Sequence, residues 1–319
     1  MREEIDRFLD AIRLERRFSH NTVVAYRSDL NQFAAYLEEG CAVEEDPSLG
    51  DWSGSDRSGV WQELTEGRLN DYLRTLHDRP YATSTVARKT AAIKSFFQFL
   101  YRAGLMGEDP SLRMVPPRVD KYPPRAITPG EVDRLLEQPC RIRGDRALRP
   151  EALRDRAMLE TLYSTGMRVS ELVSLDLTDL GNGWVRCAGQ SSRVRRVPLR
   201  ERAVQAIENY LDDARPHLGG READALFLNH RGRRLTRQGF WLILKSYAEQ
   251  AEIADVTPQT LRHTFATHAI REGTELRDVQ HLLGHVSIST TQVYRRLASV
   301  PVGGETNGPA HWGQEFDSE

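Results

Sequence analysis

The chain has 319 residues, 39% of them hydrophobic, enough for a sizeable core and more comfortable as two domains than one. A net charge of −2 and an isoelectric point near 6.5 exclude a uniformly basic nucleic-acid binder, so any nucleic-acid contact must come from segregated charge. No apolar run approaches membrane-spanning length, the N-terminus MREEIDRF is charged, and Cys41, Cys140 and Cys187 have neither metal nor redox spacing, so a soluble cytoplasmic protein without a disulfide framework is expected.

In chain order, Ile5, Phe8, Leu9 and Ile12 mark a first amphipathic helix. Ser19-His20-Asn21-Thr22 is a cap cluster, after which Val23, Tyr26, Leu30, Phe33 and Leu37 recur at helical spacing. Residues 40–59 are rich in Gly, Ser, Asp and Glu and read as an exposed loop. Helical spacing returns in 61–76 and in 84–104, where Val86, Ile93, Phe96, Phe97 and Leu100 form a stripe ended by Gly104. Four or five helices with no strand signal predict an all-α domain over 1–114. The run VPPRVDKYPPR holds four prolines and predicts a semi-rigid linker over 115–126.

The second domain, 127–300, opens on a capping box, Thr128-Pro129-Gly130-Glu131. A helix over 154–165 ends at Gly166; Arg168 follows, and Ser170-Glu171-Leu172 opens the next helix. Glu171, three residues on, can orient the Arg168 guanidinium or simply favour the helix N-terminus as a carboxylate. Trp184–Cys187 and Arg195–Leu199 read as two short strands around Gly189-Gln190-Ser191-Ser192. Helices are predicted over 202–214 and 235–251, with Leu226-Phe227-Leu228 a short buried segment between them. Thr236-Arg237-Gln238 places polar groups at a helix N-terminus, a natural phosphate site. Four of the 44 basic residues are lysine, so 40 are arginine; they concentrate in 186–202 and 231–237 while acidic residues gather in 38–51 and in the tail. Solvated faces are the plain alternative for either arginine-rich segment. Residues 301–319 read as an acidic, flexible tail.

Between Thr257 and Tyr294 runs TPQTLRHTFATHAIREGTELRDVQHLLGHVSISTTQVY. Pro258 after Thr257 starts a helix that Gly273 ends, and Leu276, Val279, Leu282 and Leu283 mark a shorter one closed by Gly284. The SISTT run is a poor helix former and predicts a turn before Tyr294. HLLGH has two histidines at a metal-helix spacing, but Gly284 breaks the helix and no carboxylate or cysteine completes a ligand set. In company with the arginine of YSTGMRVSEL, two arginines, a histidine and a tyrosine can hold a phosphodiester and attack it: the arginines neutralise the non-bridging oxygens and the phenol is the nucleophile.

YSTGMRVSEL, TLRHTFATH, LLGH and the tyrosine nine residues after that histidine together resemble the motif boxes of the tyrosine recombinases, the phage-integrase family, and most closely its Xer group. The resemblance runs from about Ile5 to Ala298. It implies a mainly α fold with a small β-hairpin or sheet, in two domains: a helical SAM-like core-binding domain and a mixed α/β catalytic domain that together clamp DNA. It implies that Tyr294 attacks the scissile phosphate to give a 3′-phosphotyrosyl bond, that Arg168 and Arg262 clamp the phosphate, and that His285 hydrogen-bonds it. It implies no cofactor and no metal, because the bond energy is conserved. The implied partners are a double-stranded DNA recombination site and further subunits in a tetramer, alone or with a second recombinase. The β-hairpin is expected to carry Arg193, Arg195 and Arg196 to a narrow minor groove, with Arg234, Arg237 and Gln238 also on DNA.

Two positions depart from the family pattern. Gln190 stands in Gly189-Gln190-Ser191 where Gly-Lys-Gly is usual, the lysine being the general acid; Gln259 stands where a histidine usually precedes Leu-Arg-His. An amide donates a hydrogen bond but delivers no proton, and losing a general acid costs about 10²–10⁴ in rate. Two expectations follow: a site-specific recombinase for DNA integration or resolution, or a cleavage-impaired homologue acting as a DNA-binding partner subunit.

Overall fold

The computed structural model describes residues 2–14, 18–41, 61, 64–119, 124–141, 149–188, 194–219 and 222–299. The chain divides into two compact units, residues 1–121 and 122–319.

The first unit holds four described α-helices: α1 Arg2–Leu14, α2 His20–Cys41, α3 Glu66–Asp78 and α4 Thr83–Arg102. The apolar stripes of the sequence become its core. Ile5, Phe8, Leu9 and Ile12 of α1, Val23, Tyr26, Leu30, Phe33 and Leu37 of α2, and Val86, Ile93, Phe96, Phe97 and Leu100 of α4 are all buried. Phe33 meets Tyr72 of α3 with ring centroids 4.9 Å apart, and Trp61 meets Phe96 edge-on at the same distance. Ser19 caps α2, its hydroxyl accepting from the Thr22 amide at 3.1 Å. One buried charge, Asp29, is compensated by Lys89 at 2.9 Å and by Arg88. Of the loop expected over 40–59, residues 42–59 lie outside the described residues.

The second unit contains α5 Pro129–Glu137, α6 Pro150–Thr165, α7 Val169–Ser174, strands β1 Leu180–Gly181, β2 Trp184–Cys187 and β3 Arg195–Pro198, then α8 Glu201–Asn209, α9 Arg237–Gln250, α10 Pro258–Arg271, α11 Leu276–Leu283 and α12 Ile288–Ala298. The capping box forms: Thr128 Oγ1 accepts from the Glu131 amide at 3.2 Å, and Glu131 accepts from the Thr128 amide at 2.7 Å. The strands make an antiparallel sheet in the order β1-β2-β3, with Val185 opposite Val197 and Arg186 opposite Arg196. The two-residue β1 has no sequence signal; it exists because the Asn182–Gly183 turn returns the chain onto β2.

Helices α6 and α10 form the centre of this unit. Both are buried nearly all round, with α6 packed on α8 and α10, and α10 on α11 and α12. The expected helix over 202–214 is α only to Asn209; a π turn Tyr210–Ala214 and a 3₁₀ turn follow, because the buried Tyr210 hydroxyl donates to Leu226 O at 3.1 Å and ties the helix end to the buried Leu226–Leu228 segment. The SISTT turn is overturned. Ser287 caps a new helix by accepting from the Ser289 amide, and Thr291 and Tyr294 are buried in it, so tertiary packing overrides the weak helix propensity of the β-branched residues. Tyr294 is therefore a mid-helix residue.

Candidate active site

Arg262 lies in the second turn of α10, 2% exposed. Its Nη1 donates to Gly166 O at 2.6 Å, and its Nη2 to Leu283 O at 2.7 Å and His285 Nε2 at 2.9 Å. One guanidinium thus ties together the loop after α6, the end of α11 and His285. Gly166 must be glycine for this: its φ is +58°, and an added Cβ would lie 2.2 Å from the Phe265 ring. Burial, and then the charge of Arg168, lower the Arg262 pKa to about 10, so it is still charged at neutral pH. Because arginine only donates, His285 Nε2 accepts, and its hydrogen sits on Nδ1, pointing to Thr291 Oγ1 at 3.0 Å. Burial, Arg262 and Arg168 bring the His285 pKa down to about 4 and keep the ring neutral.

Tyr294 is 2% exposed and projects from α12 beside both histidines. Its ring lies nearly parallel to His285, 15° between planes and 6.3 Å between centroids. Its hydroxyl is 2.8 Å from Nδ1 of His263, the neighbour of Arg262 on α10. Burial raises the phenol pKa while Arg262 draws it back, so the hydroxyl is protonated at neutral pH. Burial, then Arg262, lower the His263 pKa to about 4.

Arg168 forms the N-cap of α7. Its amide donates to Glu171 Oε2 at 2.7 Å, and its Nη1 is 3.4 Å from Glu171 Oε1 with the side chain 42% exposed. It opens onto a cleft of about 620 Å³ lined by Arg168, Ser170, Arg237, Gln238, Gln259 and Arg262, among others. Arg237 and Gln238 reach it from the start of α9, where the Thr236 cap fixes the helix end. Gln259 reaches it from the first turn of α10 and is exposed. The cleft, with three arginines on its wall, is a positively charged recess of a size to admit a phosphodiester.

Two of the residues expected on DNA are committed to the protein instead. Arg195 is 5% exposed; its Nη1 and Nη2 donate to the two Glu171 carboxylate oxygens at 2.9 and 3.0 Å, and its Nε to Leu282 O at 2.7 Å. Strand alternation explains it: Arg195 and Val197 share the inward face of β3, and Arg196 the outward one. Burial would raise the Glu171 pKa, but Arg195 and the Arg168 amide hold it at about 2. Glu171 is thus chiefly the partner of Arg195. Arg234 is the second case, paired with Asp176 at 2.5 Å and donating to Val173 O and Leu175 O. Within the arginine-rich segments, Arg186, Arg200 and Arg202 also face carboxylates, those of Asp179, Glu272 and Asp133. Arg196 is exposed, 4.7 Å over the Trp184 ring. Gln190 and Arg193 lie outside the described residues. Sequence reasoning passed over two residues of the cluster. His263 had a signal in its place beside Arg262; Thr291 had none, since a threonine in a polar run reads as surface.

The phage integrase family matches residues 125–299, and the N-terminal SAM-like domain of phage integrases matches 5–51 and 47–104. The chain is 46% identical over 302 residues to the tyrosine recombinase XerC of Herpetosiphon aurantiacus, covering 94% of this chain and 92% of that one. It is 47% identical to XerC of Roseiflexus castenholzii (93% and 90%) and 42% identical to XerD of Oceanobacillus iheyensis (92% and 93%). Its fold resembles that of the XerH site-specific recombinase in a pre-cleavage complex with difH substrate, with a TM-score of 0.66 at 20% identity over 93% of this chain and 84% of that one. Among the described residues, no helix is long and apolar enough to cross a membrane.

Proposed function

This chain belongs to the phage integrase family, as an Xer-type tyrosine recombinase that cuts and rejoins DNA, and from that premise we propose that Tyr294 is its nucleophile and that Arg168 and Arg262 hold the scissile phosphate, with His285, whose two nitrogens are taken by Arg262 and Thr291, serving the site through Arg262. Tyr294 Oη attacks phosphorus, a 3′-phosphotyrosyl bond forms and a 5′-hydroxyl leaves; a 5′-hydroxyl from a partner strand reverses the step. The energy of the phosphodiester is kept in the phosphotyrosyl bond, so the reading calls for no cofactor. Arg168 and Arg262 neutralise the non-bridging oxygens. His285 holds Arg262 and stacks on Tyr294, so it keeps clamp and nucleophile in one register. Arg237 and Gln238 engage the flanking backbone at the head of α9.

The observation that carries this reading is the hydrogen-bonded set Arg262–His285 and His263–Tyr294, with Arg262 itself lining an arginine-rich cleft. By the same reading, the helical unit and the catalytic unit, joined through residues 115–126, each bind a duplex recombination site. Four subunits assemble there, alone or with a second recombinase, for dimer resolution or integration. A second reading has its own support: Gln259 in the cleft and Gln190 in the hairpin sequence cannot transfer protons, which favours a slow or partner-dependent subunit.

The test is a nicked suicide substrate carrying the native site, scored for a covalent protein–DNA adduct on a denaturing gel. Wild type is expected to form adduct, and Tyr294→Phe to bind DNA with unchanged affinity and form none. Adduct persisting in Tyr294→Phe would show that another residue is the nucleophile.

A further inference from the structure

Resting on Tyr294 as nucleophile, we propose that His263 takes the phenolic proton when Tyr294 attacks the phosphodiester and returns it when the strand is rejoined. The hydroxyl must lose that proton, since burial keeps it protonated at rest. Among the described residues of this cluster, one acceptor is left for it. His285 has both ring nitrogens engaged, Nε2 with Arg262 and Nδ1 with Thr291, and its fixed tautomer points no free lone pair at Tyr294. Glu171 is held by Arg195 and the Arg168 amide. Gln259 is an amide and accepts no proton. His263 Nδ1 is already 2.8 Å from Tyr294 Oη, within the reach required of a general base.

The electron and proton count closes. An Oη lone pair forms the bond to phosphorus; the P–O5′ bond breaks with its pair on O5′, which takes a proton from solvent water. The phenolic proton passes to His263 Nδ1, giving an imidazolium with hydrogens on both nitrogens. In rejoining, the incoming 5′-hydroxyl attacks phosphorus and gives its proton back to solvent, the P–Oη bond breaks with its pair on Oη, and the imidazolium returns its proton to Oη. Neutral at rest beside Arg262, His263 is in the form that can accept. As the Oη–P bond forms, the phenolic hydrogen becomes strongly acidic, so a base of modest strength suffices. The recruited phosphate also offsets the Arg262 charge that disfavours the imidazolium.

The test compares wild type, His263→Gln and His263→Ala for single-turnover adduct formation on the suicide substrate, with DNA affinity measured in parallel. Both variants are expected to bind DNA like wild type and to form adduct about 10²–10⁴ more slowly, the range of a general base. Added imidazole should accelerate His263→Ala and leave His263→Gln, whose side chain fills the site, unchanged. A substrate with sulfur at the 5′-bridging position should not rescue either variant, because it relieves the leaving group and not the nucleophile. His263→Gln cleaving at the wild-type rate would overturn the proposal. So would slow variants that imidazole does not rescue, which would make His263 a positioning residue only, or variants that the sulfur substrate restores. These outcomes leave the nucleophile assignment intact. Adduct in Tyr294→Phe, or none from wild type on either substrate, would remove that reading and this inference together.

Discussion

Arg195 and Glu171 form a two-pronged buried ion pair, 2.9 and 3.0 Å at its two contacts, and it joins the β-hairpin to the helix that Arg168 caps. The third Arg195 donor, Nε, reaches Leu282 O at the end of α11, and Gly284 just beyond is so close that a Cβ there would lie 3.0 Å from Arg195 Nη1. The pair, with that third bond, therefore ties the start of α7, which Arg168 caps, to the end of α11, just before His285. Arg195→Ala leaves the Glu171 charge buried without its main partner, and a loss of about 3–5 kcal/mol is expected in urea unfolding. Exposed Arg196→Ala should change stability by less than about 1 kcal/mol. Equal effects of the two would show that the pair does not hold the unit together.

The same geometry shows what the sequence carried and what it did not. The apolar stripes of α1, α2 and α4 were legible because each is amphipathic, and the residues at helical spacing are the buried ones. Helix α6 was legible chiefly by the glycine that ends it, and α10 by Pro258 at its start and Gly273 at its end, since both are buried nearly all round. Arg195 was expected on DNA because the resemblance takes this hairpin to the minor groove. The strand period alone turns it inward beside Val197, so the signal was present and the resemblance outweighed it. Helix α12 was hidden by SISTT, whose local propensity loses to the burial of Thr291 and Tyr294. The hydrogen bond between His263 and Tyr294 links residues 31 apart in sequence and is a product of packing. The Gln190 position falls outside the described residues.

Acid should unfold the catalytic unit early. Burial, with nearby arginines, lowers the pKa values of His263, His268 and His285 to about 4, below the ordinary histidine range. A histidine depressed in the fold stabilises it when neutral, so this contribution is fully present above the unfolded value of about 6.5 and lost as pH falls toward 4. Unfolding near pH 5 should take up as many as about three protons through these rings. Urea unfolding at a series of pH values from 7 to 4 measures the slope, and His268→Gln should flatten it by about one proton. A pH-independent stability across that window would contradict the neutral assignment of these rings.

DNA binding should weaken linearly in log affinity against log salt, through counterion release by the arginines that reach solvent. Arg237→Ala removes a cleft-lining cation and should reduce the slope by about one. Arg234→Ala should leave the slope nearly unchanged and lower stability instead, because its guanidinium is bound to Asp176 and to the carbonyls of Val173 and Leu175 at the end of α7. A slope that falls for Arg234→Ala and holds for Arg237→Ala would reverse that assignment.

On the leaving-group side of the reaction, Gln190 can supply no proton. Between Arg186 and Val197-Pro198-Leu199, the run Gly189-Gln190-Ser191 aligns without a gap on the usual Gly-Lys-Gly, so the glutamine stands where a lysine acid is expected. If protonation of the 5′-oxygen limits cleavage, Gln190→Lys should accelerate adduct formation by up to the ~10²–10⁴ of a general acid. The gain should nearly vanish when the 5′-bridging oxygen is sulfur, because a thiolate leaves without a proton. Wild type should accordingly cleave the sulfur substrate much faster than ordinary DNA. Combined with His263→Gln, the two substrates separate the two protons of the reaction: sulfur compensates for Gln190 and not for the loss of His263. Equal wild-type rates on oxygen and sulfur substrates would show that leaving-group protonation is not limiting and that Gln190 does not impair the enzyme.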